Sequence, residues 1–119
     1  MITGTHAIIY ADDEVQARAF FRDVLELPSV DVHDGWLIFQ LPPAELGIHP
    51  TGDVAGSGRH EVYLMCDDIE ATVAELTARG VEFCAPITDQ GFGRLTTLRV
   101  PGGGELGLYQ PRHPTAHGL

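Results

Sequence analysis

The alternation of hydrophobic and polar residues follows the same order twice along this chain. Residues 5–13 (THAIIYADD) form an apolar, β-branched run that ends in two aspartates and precedes a helical pattern. Residues 59–68 (RHEVYLMCDD) end in the same way and also precede a helical pattern. Alignment of the two acidic pairs puts His6 opposite Glu61. We therefore predict one structural unit that is used twice.

The first unit begins with a predicted strand at residues 4–11 and continues with a helix. Asp13 is placed to cap this helix, Gln16 three residues later completes a capping box, and Pro28 ends the pattern. Apolar residues recur at roughly helical spacing, at Val15, Phe20, Val24 and Leu27. Three strands are predicted to follow, at about 29–33, 35–41 and 44–49, with a tight hairpin turn at Asp34-Gly35.

The second unit repeats this order after a flexible linker at 51–58 (TGDVAGSG). We predict a strand at 60–66 and a helix at about 69–79 that is capped by Asp68. Gly80 followed by apolar Val81 is typical of a Schellman termination. Further strands are predicted at about 82–88, 94–100 and 104–109. The glycine-rich turn at 101–104 joins the last two, and no helix follows it, which argues against a phosphate site.

These elements predict a single α+β domain that covers all 119 residues. It contains two tandem βαβββ repeats, at about 4–50 and 60–111. Each repeat has four strands and one helix. Two such sheets side by side form a curved, half-open barrel with an internal cleft.

The composition of the chain restricts which classes of binding partner we expect. A formal net charge of −10 repels nucleic acid and anionic membrane surfaces. It attracts a cationic small molecule, although the acidic residues also simply favour solubility. No apolar run is long enough to span a bilayer, and no signal peptide is evident. Cys66 and Cys84 lack a metal-ligand spacing and are predicted to be buried, reduced thiols, which fits a cytoplasmic protein.

The repeat resembles the vicinal-oxygen-chelate superfamily, which includes glyoxalase I, extradiol dioxygenases and bleomycin-resistance proteins. The resemblance covers about residues 4–111. It rests on the opening strand, on FFRDVLELP (20–28), on the strand and helix at 61–80, and on GFGRLTTLRVPGGGELGLYQP (91–111). It implies a cleft that holds a divalent metal (Fe, Mn, Ni or Zn), which binds two adjacent oxygens of a substrate. It also implies a homodimer.

The resemblance suggests metal ligands one position at a time. His6 falls on the family's first ligand position and Glu61 on its equivalent in the second repeat. Strand alternation directs His60 away from the cleft. The two remaining ligands of the family are usually glutamates, but glycine stands at both places, Gly47 and Gly107.

Other side chains lie two residues from these glycines on the same strand faces. They include His49 in the first repeat and Glu105 in the second. Two residues of strand span about 6.6 Å, so a bulge would be needed to bring either one to the metal. The predicted metal set is therefore His6, His49, Glu61 and Glu105. Glu61 or Glu105, if it does not bind metal, is the candidate general base.

Two functions remain open at this point. One is a metal-dependent lyase, isomerase or dioxygenase of the glyoxalase or extradiol-dioxygenase type, acting on a small oxygenated substrate. The other is a metal-free protein of the bleomycin-resistance type that binds and sequesters a cationic or aromatic compound. A domain that acts only through dimerisation is a third possibility. In the first two cases the predicted pocket is lined by aromatic side chains, namely Tyr10, Trp36, Tyr63, Phe92 and Tyr109.

Overall fold

A computed structural model describes residues 6–9, 11–45, 47, 60–91 and 93–116. Two α-helices lie in these described residues: α1 (Glu14–Ala19), which continues into a π-helical turn (Phe20–Val24), and α2 (Ile69–Ala78). The strands in this described part of the chain are β1 (Ser29–His33), β2 (Trp36–Phe39), β3 (Tyr63–Met65), β4 (Thr88–Asp89), β5 (Gly93–Val100) and β6 (Gly104–Pro111). They form a two-stranded sheet, β1-β2, and a four-stranded sheet in the order β3-β6-β5-β4. The predicted α+β class is confirmed.

The four-stranded sheet provides most of the core. Its long antiparallel pair, β5 and β6, runs in register from Gly93↔Pro111 to Val100↔Gly104, and β3 joins β6 in parallel. Side chains alternate along a strand, so every second residue points to one face. Leu98, Val100 and Leu106 are at most 4% exposed. We call the face that they occupy the back face and the opposite one the front face.

Both helices pack on the back face. Ala17 and Phe20 from the first half and Leu76 from α2 join Leu98 in one hydrophobic cluster. Arg94 of β5 also pairs with Glu70 of α2, with 2.6 Å between Nη2 and Oε1. Because the helices share this face, they leave the front face uncovered.

Helix α2 begins and ends as its sequence predicts. The Asp68 carboxylate accepts the backbone N–H of Ala71 at 3.1 Å, which satisfies a donor that has no partner inside the helix. At the other end Gly80 has φ +90°. Its N–H donates to the Thr77 carbonyl and that of Val81 to the Leu76 carbonyl, both at 3.0 Å. These two bonds define the predicted Schellman motif.

Helix α1 is held against the turn between β5 and β6. Asp13 caps α1 by accepting the Gln16 N–H at 2.9 Å, as predicted. Its own N–H donates to the Gly102 carbonyl at 3.0 Å. A Cβ at Gly102, where φ is +75°, would lie 2.6 Å from the Asp13 carbonyl oxygen. The glycine-rich turn therefore serves as a docking surface for the start of α1.

The hairpin of β1 and β2 lies outside the core. Asp34 and Gly35 both have positive φ (42° and 87°), as a type I′ turn requires, and this confirms the predicted turn. Phe39 of the hairpin contacts Phe21, with ring centroids 5.7 Å apart. Val30 and Ile38, a cross-strand pair on the opposite side from Phe39, remain exposed to 62% and 38%.

Several predicted strands are absent or shortened. The described residues of the segments 4–11 and 44–49 are not strands, because neither segment has a ladder partner in the described part of the chain. The segment 82–88 keeps only a bridge between Phe83 and Leu98 and the first residue of β4, since Pro86 interrupts it. In the described residues the first half thus has two strands, and no closed barrel forms.

Two further predictions fail or lie outside the described residues. Val15, placed on the apolar side of the first helix, is 69% exposed because α1 turns Ala17 and Phe20 to the core instead. The predicted linker 51–58 lies outside the described residues.

Gly102→Ala should destabilise the domain more than Gly104→Ala. Both glycines have positive φ, which costs alanine about 1 kcal/mol, but only at Gly102 would the new Cβ also collide with Asp13. We expect a loss of about 2–3 kcal/mol for Gly102→Ala and about 1 kcal/mol for Gly104→Ala, measured by urea unfolding. Equal losses would show that the contact between the turn and α1 does not hold in solution.

Candidate functional site: a tyrosine platform on the front face

The front face of the four-stranded sheet carries an aromatic cluster. In the parallel pair, Tyr63 lies beside Gly107 and Met65 beside Tyr109. Leu64 lies between Tyr63 and Met65 in β3 and packs against the core on the back face. Alternation therefore puts Tyr63, Met65 and Tyr109 on the front face, which agrees with the prediction that Tyr63 and Met65 face away from the helices.

The ring of Tyr63 lies directly over Gly107. A Cβ placed on Gly107 would overlap Cδ1 and Cε1 of Tyr63. The Tyr63 hydroxyl donates to Oε2 of Glu61 at 2.9 Å. The aromatic ring thus fills the space in which a longer side chain at position 107 would begin.

Tyr109 is arranged in the same way over Gly93. A Cβ on Gly93 would overlap Cε2 of the Tyr109 ring. The two tyrosine rings meet edge to face, with centroids 6.0 Å apart and an interplanar angle of 61°. We call Tyr63 and Tyr109, with the two glycines beneath them, the tyrosine platform. Tyr63 is 40% exposed, so one side of the platform reaches solvent.

A carboxylate and a histidine lie beside Tyr109. The His113 ring is 5.8 Å from the Tyr109 ring, centroid to centroid, at an interplanar angle of 36°. Its Nε2 lies 3.7 Å from Oε1 of Glu45. Partial desolvation, and then the negative charge of Glu45, raise the pKa of the Tyr109 hydroxyl, which therefore stays protonated and neutral at physiological pH.

The two cysteines lie at different depths near this face. Cys84 is exposed, which corrects the prediction of a buried thiol, because its segment only borders β5. Partial desolvation and the nearby Glu105 carboxylate raise the pKa of this thiol. Cys66 is half-buried, and burial raises its pKa. Both thiols are free and remain protonated at neutral pH.

The predicted metal ligands do not form a cluster in the described residues. No group of three histidine, cysteine, aspartate or glutamate side chains there is arranged to hold a metal ion. His6 is exposed, Glu61 binds the Tyr63 hydroxyl, and Glu105 lies beside Cys84. His49 is outside the described residues. With glycine at the two positions where the resemblance implies a glutamate, and a ring above Gly107, the donors that are described do not fit a metal.

The predicted aromatic pocket is assembled in part. Tyr63 and Tyr109 come together, whereas Tyr10 and Phe92 lie outside the described residues. Trp36 lies on the hairpin, where the Arg18 guanidinium covers its ring at 4.8 Å from the centroid. Sequence reasoning missed the role of Gly93 and that of His113, which stands in a polar tail without a motif. The only signal for His113 was its place two residues after the last strand.

Comparison with known proteins places the chain in a family. The family model described as Glyoxalase/Bleomycin resistance protein/Dioxygenase superfamily matches residues 5–108. The chain belongs to this superfamily, as its resemblance implied. A search of the curated proteins gives no match. None of the helices in the described ranges has the length and apolar composition needed to cross a bilayer.

Solved structures of this superfamily have the same fold. TnmS3, an antibiotic binding protein from Streptomyces sp. CB03234, is 25% identical, with a TM-score of 0.63 over 92% of this chain and 97% of that one. A superfamily member from Sphaerobacter thermophilus DSM 20745 is 26% identical, with a TM-score of 0.63 over 92% and 98%. A lactoylglutathione lyase from Agrobacterium tumefaciens is 19% identical, with a TM-score of 0.60 over 91% and 96%, a likeness of fold alone.

The contact between Tyr63 and Gly107 can be tested by a double-mutant cycle. Gly107→Ala should lower the free energy of unfolding by about 1–3 kcal/mol, because the new methyl group forces the Tyr63 ring to move. In a Tyr63→Ala background the same change should cost less than about 0.5 kcal/mol, since the space is vacated. Urea unfolding of the four proteins measures the difference. Equal costs in both backgrounds would show that the ring does not lie over Gly107.

Proposed function

We propose that this protein binds and sequesters a planar, cationic small molecule on its front face without a metal ion. The tyrosine platform provides the stacking surface, and nearby carboxylates provide the negative charge. This is a binding function of the bleomycin-resistance type and involves no turnover.

The observation that carries the proposal is the Tyr63 ring over Gly107. The resemblance to the family implies a metal-binding glutamate at this position. Here glycine removes the ligand and the aromatic ring takes its place. The same change therefore removes a metal donor and adds a flat apolar surface.

Charge also supports a cationic ligand. Glu61 touches the Tyr63 hydroxyl and Glu45 lies close enough to Tyr109 to affect its titration. The whole chain has a formal net charge of −10, which raises the local concentration of cations. A cation over an aromatic face is stabilised by about 0.5–2 kcal/mol, depending on how far it is desolvated.

A relative supports the same class of function. TnmS3, at 25% identity over nearly the whole chain, is described as an antibiotic binding protein. The metal-dependent lyase, isomerase or dioxygenase implied by the family has less support, because the likeness to lactoylglutathione lyase extends only to the fold. The predicted metal set of His6, His49, Glu61 and Glu105 stays a prediction.

Binding of ethidium, a planar aromatic cation, tests the proposal. Fluorescence titration should give saturable binding that weakens as NaCl rises from 50 to 500 mM, because the attraction is screened. Tyr63→Ala should weaken binding about threefold to tenfold through loss of stacking. Tyr63→Phe is the matched control, since it keeps the ring and removes the hydroxyl that donates to Glu61.

Three results would contradict the proposal. The first is ethidium binding that Tyr63→Ala leaves unchanged. The second is stoichiometric Fe²⁺, Mn²⁺, Ni²⁺ or Zn²⁺ in protein purified without chelator, together with a rise in melting temperature on adding that metal. The third is turnover of a substrate by the metal-loaded protein. The last two would favour the metal-dependent enzyme.

We also propose that the protein acts as a homodimer. The hairpin exposes large apolar side chains, with Val30 at 62%, Val32 at 55% and Trp36 at 58%. A soluble monomer rarely leaves such side chains grouped at its surface. Sedimentation equilibrium at micromolar concentration should give twice the mass of the chain, and Val30→Asp should shift it toward the monomer. A monomeric wild type would overturn this proposal.

A further inference from the structure

The segment that follows β6 lies against Tyr109 of the tyrosine platform. Residues 112–116, which we call the tail strap, begin where the last strand ends at Pro111. Arg112 fixes the start of the strap to Asp89, with both guanidinium-to-carboxylate distances at 2.6 Å. At the far end the Ala116 N–H donates to Oε2 of Glu45 at 2.7 Å. The strap therefore connects the second sheet to a residue of the first half.

Between these two attachments, His113 lies against the platform. Its ring packs on Tyr109 at 5.8 Å between centroids, and its Nε2 faces Oε1 of Glu45 at 3.7 Å. Its Nδ1 donates to the Pro114 carbonyl at 2.8 Å, which holds the ring in this orientation. The His113 ring thus contacts Tyr109 of the platform and the Glu45 carboxylate at the same time.

The burial of the Glu45 side chain makes its contacts with the strap important for stability. Its side chain is only 16% exposed, so it has lost most of its contact with water. A carboxylate in that position requires donors, and the strap provides the Ala116 N–H directly and the His113 ring nearby. When the strap leaves, a cationic or N–H donor of a ligand can replace these contacts of Glu45 beside Tyr109, in competition with water.

The strap also forms part of a shallow surface groove. A space of about 620 Å³, open to solvent, lies at the ends of β3 and β6 beside the strap. Met65, Asp67, His113 and Thr115 are among the residues that line it. Movement of the strap therefore changes the surroundings of Tyr109 and the shape of this groove together.

We propose that the tail strap is an internal competitor for the ligand. His113 holds the position on Tyr109, beside Glu45, that a planar cation takes when it binds. This inference rests on the proposed function and identifies the ligand as one that replaces both contacts of His113. The apparent association constant of the intact protein then equals the intrinsic constant multiplied by the fraction of molecules in which the strap is open.

The decisive comparison is His113→Ala against His33→Ala. His33 is an exposed histidine that faces an acidic neighbour, Asp34, at 3.5 Å on the hairpin, so it matches His113 in chemistry but not in place. His113→Ala should bind ethidium about threefold to tenfold more tightly and associate faster, because the competing ring is gone. His33→Ala should bind as the wild type does. Glu45→Gln should bind more weakly, since the ligand loses its carboxylate.

A second measurement follows the strap without any ligand. Hydrogen exchange should show the Ala116 amide protected in the wild type and unprotected in Glu45→Ala, which removes the acceptor; Glu45→Gln keeps an acceptor oxygen and changes only the charge. Binding to His113→Ala but not to the wild type would support the inference. Binding to His113→Ala that is equal to or weaker than that of the wild type would overturn it.

The two proposals fail in different ways. Ethidium binding by neither protein would overturn the proposed function and the competition together, and Ala116 exchange would still report whether the strap contact exists. Ethidium binding that depends on Tyr63 but not on His113 would overturn only the competition.

Discussion

The packing of both helices on one face of one sheet is the constraint on which the rest of this structure depends. Leu98, fully buried at the centre of that face, contacts a cluster to which the first half contributes Ala17 and Phe20. The approach of α1 is possible because the turn beside it is built of glycine at Gly102 and Gly103. With the helices on the back, the front face is free to carry the site. The position of the platform is thus a consequence of core packing.

Local sequence chemistry predicted the elements whose causes are local. Asp13, Asp68 and Gly80 mark helix ends because each satisfies backbone groups within a few residues, and Asp34-Gly35 fixes a turn through its own φ angles. Strands depend on a partner that lies far along the chain. Apolar alternation therefore predicted a strand at 4–11 that the described residues do not form. The register that closes β5 on β6 could be seen only in three dimensions.

The candidate site, too, could be predicted from the sequence only in part. Strand alternation predicted that Tyr63 and Glu61 face away from the helices, and the resemblance to the family implied a glutamate where this chain has Gly107. The ring of Tyr63 over Gly107 could not be predicted, since it follows from a parallel register between residues 44 positions apart in sequence, Tyr63 and Gly107. His113 was missed because its partners, Glu45 and Tyr109, come from two separate segments. A histidine in a polar tail has no periodicity that would reveal them.

The ring over Gly107 also restricts how this protein can evolve. A carboxylate side chain at position 107 would displace the Tyr63 ring, because its Cβ would overlap that ring. A substitution of Tyr63 that vacates this space removes the contacts of its ring with Tyr109 and of its hydroxyl with Glu61. A chain with that substitution alone would have neither the stacking surface nor a carboxylate at position 107. Positions 63 and 107 are therefore epistatic, because the effect of a change at one depends on the residue at the other.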